Sequence, residues 1–298
     1  MRTYNTTVIR ERVIRRVLAC VAGCSILFLA LIMLFLFREG LPVFAFVAAP
    51  DFFLGLGWYP TADPPDFGIL PLIAGSVAVT LLSALLAVPL GVMTAAWLAE
   101  FAHAQVRRLC KPMIELLASL PSVVLGFFGM TVLAPLLQEY FDADTGLNLF
   151  NAGLTLAFMS VPTICSVAED ALFAVPVSMR EASLALGATR WETTVKVVIP
   201  AAFSGIGAAC MLGMSRSIGE TMVVLMVAGG AGLIPASVFD PVRPMPAAVA
   251  AEMAEASFGG EHYHALFAIG MTLFLFTLAF NLITQRITEK NRRSPDGE

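Results

Sequence analysis

Lysine is almost missing from this 298-residue chain. The three present are Lys111, Lys196 and Lys290, and none follows a glycine. That excludes a G-x-x-x-x-G-K-[ST] phosphate loop, and with it a sign of nucleotide hydrolysis in this polypeptide. Neither H-E-x-x-H nor G-x-S-x-G occurs, so hydrolase chemistry has no signature here. Cysteine is sparse and unpaired: Cys20, Cys24, Cys110, Cys165 and Cys210 form no C-x-x-C motif. They fall in or beside apolar runs, where Cys acts as a small apolar residue, which argues against a metal or disulfide role. His103, His262 and His264 are scattered and suit interfaces. No internal repeat, low-complexity tract or soluble domain is evident. Charge is scarce as well. Charged residues make up 13% of the chain, against about a quarter in soluble globular proteins. With 58% hydrophobic residues and a mean hydropathy of +0.83, the chain belongs in a membrane.

What is there is apolar and regularly spaced. Long apolar runs cover residues 17–37, 71–99, 113–136, 151–175, 201–230 and 264–284. Each is long enough to cross a hydrocarbon core, which takes about 20 helical residues. The reading is an all-α, polytopic membrane protein with six transmembrane helices. A segment 1–16 precedes a transmembrane domain at 17–285, and a tail at 286–298 follows it. The basic start and apolar run invite comparison with a cleaved signal, but the run exceeds a signal core of about 7–15 residues. Val21-Ala22-Gly23-Cys24 sits near the start of the run, where a lipoprotein box would follow one. A retained first helix is expected.

The cations fix an orientation. Arg2, Arg10, Arg12, Arg15 and Arg16 precede the first run. Arg107, Arg108 and Lys111 lie between the second and third, and Arg180, Arg190 and Lys196 between the fourth and fifth. Arg286, Lys290, Arg292 and Arg293 follow the sixth. Those are fifteen of the eighteen cations, all on one side if six spans alternate. The positive-inside rule then places both termini and the 181–200 segment in the cytoplasm. The opposite connections carry Asp51, Asp63, Asp66, Asp142 and Asp144. Of these outward segments, 38–70 is rich in aromatics that suit the headgroup level, including Phe52, Phe53, Trp58, Tyr59 and Phe67. The other long one, 231–263, carries four prolines and is a candidate surface for a partner protein.

Residues 181–200 read EASLALGATRWETTVKVVIP. Ala182, Leu184, Ala185 and Leu186 sit at helical spacing, Gly187 breaks the run, and a second short helix stops at Pro200. Helix, glycine hinge and helix between two spans make a compact projection into water, suited to docking another protein. An ordinary amphipathic cytoplasmic loop is the plainer reading. The pattern resembles the EAA loop of ABC importer permeases, with Glu181, Ala182 and Gly187 at matching positions. Ser183 departs from the usual alanine but keeps a small residue. In that family the loop couples the membrane domain to a separate ATPase.

The fifth run contains Arg216 and Glu220, four residues apart and so on one face of a continuous helix. A charge in mid-membrane costs about 2.5–3.5 kcal/mol on insertion scales and should face the bundle interior or a water-filled path. Gly213 and Gly219 would let a neighbouring helix approach closely. Two readings stand together: an internal Arg–Glu ion pair that ties helices, or an anion contact in which the guanidinium fork meets phosphate oxygens.

Arg-Ser-Ile-Gly-Glu-Thr at 216–221 is similar to the R-A-I-G-E-T sequence of phosphate-specific ABC permeases of the PstC type. ELLASLPSVVLGFFG at 115–129, SVFDPVRPM at 237–245, HYHALFAIG at 262–270 and Trp58-Tyr59-Pro60 with Phe67 to Pro71 agree with the same family. The resemblance implies a type I ABC importer permease in a bacterial inner membrane, with Arg216 and Glu220 on the substrate pathway. It implies no catalytic role and no cofactor in this chain, with ATP–Mg bound by a separate ATPase dimer. It also implies a second, PstA-like permease, an external phosphate-binding protein and surrounding membrane lipid as partners; no nucleic acid is expected. The alternatives are a permease for another oxyanion or small solute, and a membrane signalling subunit that senses a loaded binding protein.

Overall fold

The computed structural model describes residues 2–292, with side chains described for 13–286. The expected tail beyond 292 lies outside the described residues. Among the described residues the secondary structure is helical apart from one pair of two-residue strands. Its elements, in order, are α1 (Arg2–Gly40), α2 (Ala49–Leu54), β1 (Trp58–Tyr59), β2 (Asp66–Phe67), α3 (Leu70–Glu100), α4 (Ala104–Ala118), α5 (Ser122–Phe128), α6 (Ala134–Phe141), α7 (Leu149–Phe173), α8 (Val177–Ala185), α9 (Arg190–Thr193), α10 (Ile199–Ala201), α11 (Phe203–Ile218), α12 (Met222–Val227), α13 (Met245–Glu252) and α14 (Glu261–Arg292). A π-helical turn at Gly129–Leu133 joins α5 to α6 in one span, Ser122–Phe141.

Among the described residues, five helices are long and apolar enough to cross a membrane, and α11 makes a sixth when taken with the stretch before it. Arg190–Ala201 and Phe203–Ile218 meet at a 72° bend. The six-span reading therefore stands, with two boundaries moved. The third run does not start at 113. α4 ends at Ala118, and the span begins at Ser122 after a break at 119–121. Pro121 sets that break, because proline pushes the residue before it out of the helical region. The fifth run, 201–230, is also broken. α11 stops at Ile218 and α12 starts at Met222.

The centre of the bundle is the pair α3 and α7, with α11 packed against both. Close approach needs small residues. A Cβ on Gly213 of α11 would come within 2.5 Å of the Ile164 side chain on α7. Gly213 therefore has the role expected of it, whereas Gly219 meets nothing within 4 Å and ends a helix instead. Hydroxyls lock the same crossing. The Ser217 Oγ lies 2.9 Å from Ser160 Oγ on α7 and 3.3 Å from Ser83 Oγ on α3, all buried. Asn151 of α7 donates to Gly129 O at 3.0 Å and to Gly146 O at 2.8 Å, satisfying backbone carbonyls at and beyond the π-helical turn. By contrast α1 is exposed along its apolar length and touches the bundle mainly through α14. There Phe35 meets Phe267 edge-on at 5.5 Å. An apolar helix so exposed suits lipid rather than water.

α3 starts beside the β1–β2 hairpin and ends beside α8, so these two features cap opposite ends of the bundle. β1 and β2 pair antiparallel, with Trp58 opposite Phe67 and Tyr59 opposite Asp66.

Candidate functional site

Among the described residues, three charged places are candidates: the break in the fifth span, the loop end, and the hairpin end.

At the break, Ser217 is fixed inward by α3 and α7. Its neighbour Arg216 is turned away from that contact and is exposed. The guanidinium donates to the Ala118 carbonyl at 3.4 Å, on the last turn of α4. Two helix breaks, at 119–121 and 219–221, thus come together around one arginine. The turn it touches borders an apolar cavity of about 420 Å³ lined by Leu117, Leu120, Val124 and Phe158 among others. Arg216 lies in the last turn of α11, where a cation meets unpaired carbonyls and the negative end of the helix dipole. Glu220 is not its partner. It lies beyond the end of α11, and its Oε1 accepts from the Val223 N–H at 3.4 Å, at the start of α12. The shared helix face failed because Gly219 interrupts the helix between the two residues. The structure forms no Arg216–Glu220 ion pair, which removes one of the two readings left open above.

At the loop end, α8 closes with the glycine cap of a helix terminus. Gly187 has φ +88°. Its N–H donates to Leu184 O at 3.0 Å, and Ala188 N–H donates to Ser183 O at 3.3 Å. This is the paired closing pattern that glycine favours. Gly187 is thus a fixed left-handed turn rather than a free hinge. Thr189 caps α9 in a capping box with Glu192: Thr189 Oγ1 accepts from Glu192 N, and Glu192 Oε2 accepts from Thr189 N at 3.0 Å. Thr189 N–H and Thr189 Oγ1–H both donate to Glu192 Oε2, at 3.0 and 2.9 Å, and with Lys196 adding to them they hold the Glu192 carboxyl below its ordinary range. A lowered carboxyl pKa means the box is intact at neutral pH and is lost only as pH falls through that lowered value. Ser183, the departure from the alanine pattern, lies 2.9 Å from Thr193 Oγ1 and ties α8 to α9. Glu181, Ala182 and Gly187 are exposed. Leu186 and Trp191 project beside them, 90% and 64% exposed. Behind the loop, Arg180 and Glu100 pair at 2.9 Å. Arg107 and Lys111 of α4 reach the buried Glu169 of α7 at 2.8 and 3.3 Å.

The hairpin end holds a cluster that sequence reasoning missed. Glu252 of α13 accepts from Trp58 Nε1 at 3.0 Å and Arg243 Nη1 at 2.6 Å, and its Oε2 lies 2.9 Å from His262 Nε2. Arg243 Nε also donates to Gly230 O at 2.6 Å. A cavity of about 380 Å³ opens beside the cluster, between Trp58–Thr61 and Gly230–Leu233. The signal available was Arg243, the lone cation of its segment, with Glu252 nine residues on. Together these features describe a membrane-spanning helical bundle whose charged clusters sit at breaks and ends of its spans.

Residues 87–293 match the family of binding-protein-dependent transport system inner membrane components. Curated relatives agree along most of the chain. The probable ABC transporter permease protein YqgH of Bacillus subtilis is 38% identical over 277 residues, covering 91% of this chain and 90% of that protein. The phosphate transport system permease protein PstC of Pasteurella multocida is 34% identical, covering 79% and 80%. Among solved structures, a bacterial alginate ABC transporter in complex with its pentasaccharide-bound periplasmic protein aligns with a TM-score of 0.62 at 12% identity, over 92% of this chain and 95% of that one. The methionine transporter MetNI in an inward-facing form aligns at 0.58 with 19% identity, over 73% and 93%. The chain belongs to the binding-protein-dependent transport family and has the type I ABC importer permease fold. That family is a membrane-spanning transport component, located in the inner membrane of bacteria, and not a catalytic enzyme.

Proposed function

We propose that this chain is a permease subunit of an ATP-driven importer of inorganic phosphate, and that Arg216 meets the anion on its way through. The observation that carries the reading is Arg216 itself: a guanidinium in an apolar span, exposed at a helix break and held by one backbone carbonyl rather than by an acid. A planar fork of donors with no carboxylate to satisfy it is suited to phosphate oxygens. The similarity of this chain to several proteins named phosphate transport system permease protein PstC supports the choice of anion. Glu220 stands on the same pathway, its carboxylate accepting from the Val223 N–H at the start of the next helix segment, and both termini and the 181–200 loop face the cytoplasm. There the loop offers Glu181, Ala182, Gly187, Leu186 and Trp191 to a separate ATPase dimer that binds ATP–Mg. A second, PstA-like permease completes the membrane part, and an external binding protein delivers phosphate to the hairpin end. No cofactor is assigned to this chain.

The test is Arg216→Gln in the complete complex, reconstituted in vesicles with labelled phosphate. Complex yield is expected to match the native protein, with uptake abolished. Arg216→Lys keeps the charge but not the fork and is expected to retain only partial uptake. Native uptake by Arg216→Gln contradicts the anion contact. Uptake of another oxyanion in place of phosphate keeps the permease reading and changes its substrate.

A further inference from the structure

We infer that Arg180 is a positioning residue through which movement of the 181–200 loop reaches α3. The inference rests on the reading of that loop as the ATPase docking element. The chain runs from α7 into α8 through Ala174–Pro176, so the loop is covalently tied to α7, but no such link joins it to α3. Arg180 supplies one. Its Nε and Nη2 donate to Glu100 Oε1, on the last residue of α3, at 3.1 and 2.9 Å. Nη2 donates further to Leu172 O at 2.7 Å, in the last turn of α7, and Nη1 to Val175 O just beyond it. One guanidinium therefore binds three acceptors, one on α3, one on α7 and one in the connection after α7, while its own backbone belongs to α8. Arginine is suited to this because its donors are fixed in a plane, and the C-terminal turns of helices present unpaired carbonyls to receive them.

The clamp is also set in a packed base. The side chains of Arg180 and Glu100 are 18% and 14% exposed. Leu98 of α3, Leu172 and Val175 at the end of α7, and Val198 at the far end of the loop share one buried cluster. A shift of α8 cannot leave Glu100 behind without exposing two partly buried charges. Other ion pairs nearby do not serve. Lys196–Glu192 lies within the loop and is exposed, and the Arg107 and Lys111 contacts join α4 to α7. Arg180 faces this base, while its neighbour Glu181 faces outward.

The test separates docking from transmission in the complete complex with its ATPase. Docking is read as the cross-linking yield of Leu186→Cys with the ATPase. Movement is read as the ATP-dependent change in distance between spin labels at Met93 of α3 and Leu275 of α14, both exposed. With native Arg180, a cross-link and an ATP-dependent shift are expected. With Arg180→Gln the cross-link is expected to persist and the shift to be lost. Glu100→Gln is expected to weaken the shift in the same way, and Arg180→Lys to restore part of it. An unchanged shift in Arg180→Gln overturns the inference, as does a native complex in which α3 does not move with ATP. Loss of the cross-link together with the shift in Arg180→Gln shows a residue that only holds the loop's shape, and also overturns it. Absence of the cross-link with native Arg180 overturns the docking reading itself.

Discussion

At the scale of single residues, two glycines with different physics carry much of the design. Gly213 matters for the space it leaves, since Ile164 occupies the volume a side chain would take. Gly187 matters for its backbone, because nothing lies within 4 Å of the Cβ it lacks. Its left-handed φ costs an L-residue about 1–2 kcal/mol, less for asparagine, whose side chain bonds locally. Proline is worse still, since it fixes φ at a negative value and deletes the N–H that Leu184 O receives. Assembly of the complex is therefore expected to rank Gly187, then Gly187→Asn, then Gly187→Ala, then Gly187→Pro, when measured as ATPase co-purified per permease. Equal yields for Gly187→Ala and Gly187→Asn would show that the loop does not depend on this turn. The sequence pattern marked Gly187 correctly as the end of a helix. It could not tell a hinge from a cap, because the difference lies in the two hydrogen bonds around the residue.

At the scale of elements, hydropathy located the spans but not their interruptions. Leucine, valine and methionine continue on both sides of 119–121 and of 219–221, so the apolar signal passes through each break. The backbone does not, because Pro121 and Gly219 end the helices locally. The break at Gly219 separated Arg216 from Glu220, so the arginine reaches the Ala118 carbonyl and the carboxylate reaches the Val223 N–H instead of each other. The hairpin-end clamp was hidden for another reason: Trp58 and Glu252 are 194 residues apart, and nothing in either neighbourhood announces the contact. It gives a prediction of its own. Glu252 is the common acceptor for Trp58 and Arg243, and it also contacts His262. Glu252→Ala leaves those donors unmet near a partly closed cavity, and hydrogen bonds to charged groups are worth about 1.5–3 kcal/mol each. A lower Tm of the detergent-purified protein is expected, with a smaller drop for Trp58→Phe, which deletes one donor and leaves the Arg243 pair. An unchanged Tm for Glu252→Ala would mean the clamp does not hold the hairpin to α13.

At the scale of the whole molecule, the bundle has a loop end and a hairpin end joined by α3 and α7. Conformational change between them requires that both ends be attached to the same helices, and they are: the hairpin leads into α3, and Arg180 ties α8 back to its far end. Arg216 lies between, beside the crossing of α3, α7 and α11. The central claim of the proposed function is vectorial movement of phosphate driven by ATP. The most direct measurement uses the complete complex in sealed vesicles, with loaded binding protein on the hairpin side and ATP on the loop side. Labelled phosphate is expected to accumulate with ATP and not without it, and unlabelled phosphate is expected to compete where sulfate does not. ATP hydrolysis stimulated by the loaded binding protein, with no phosphate crossing the membrane, would contradict it.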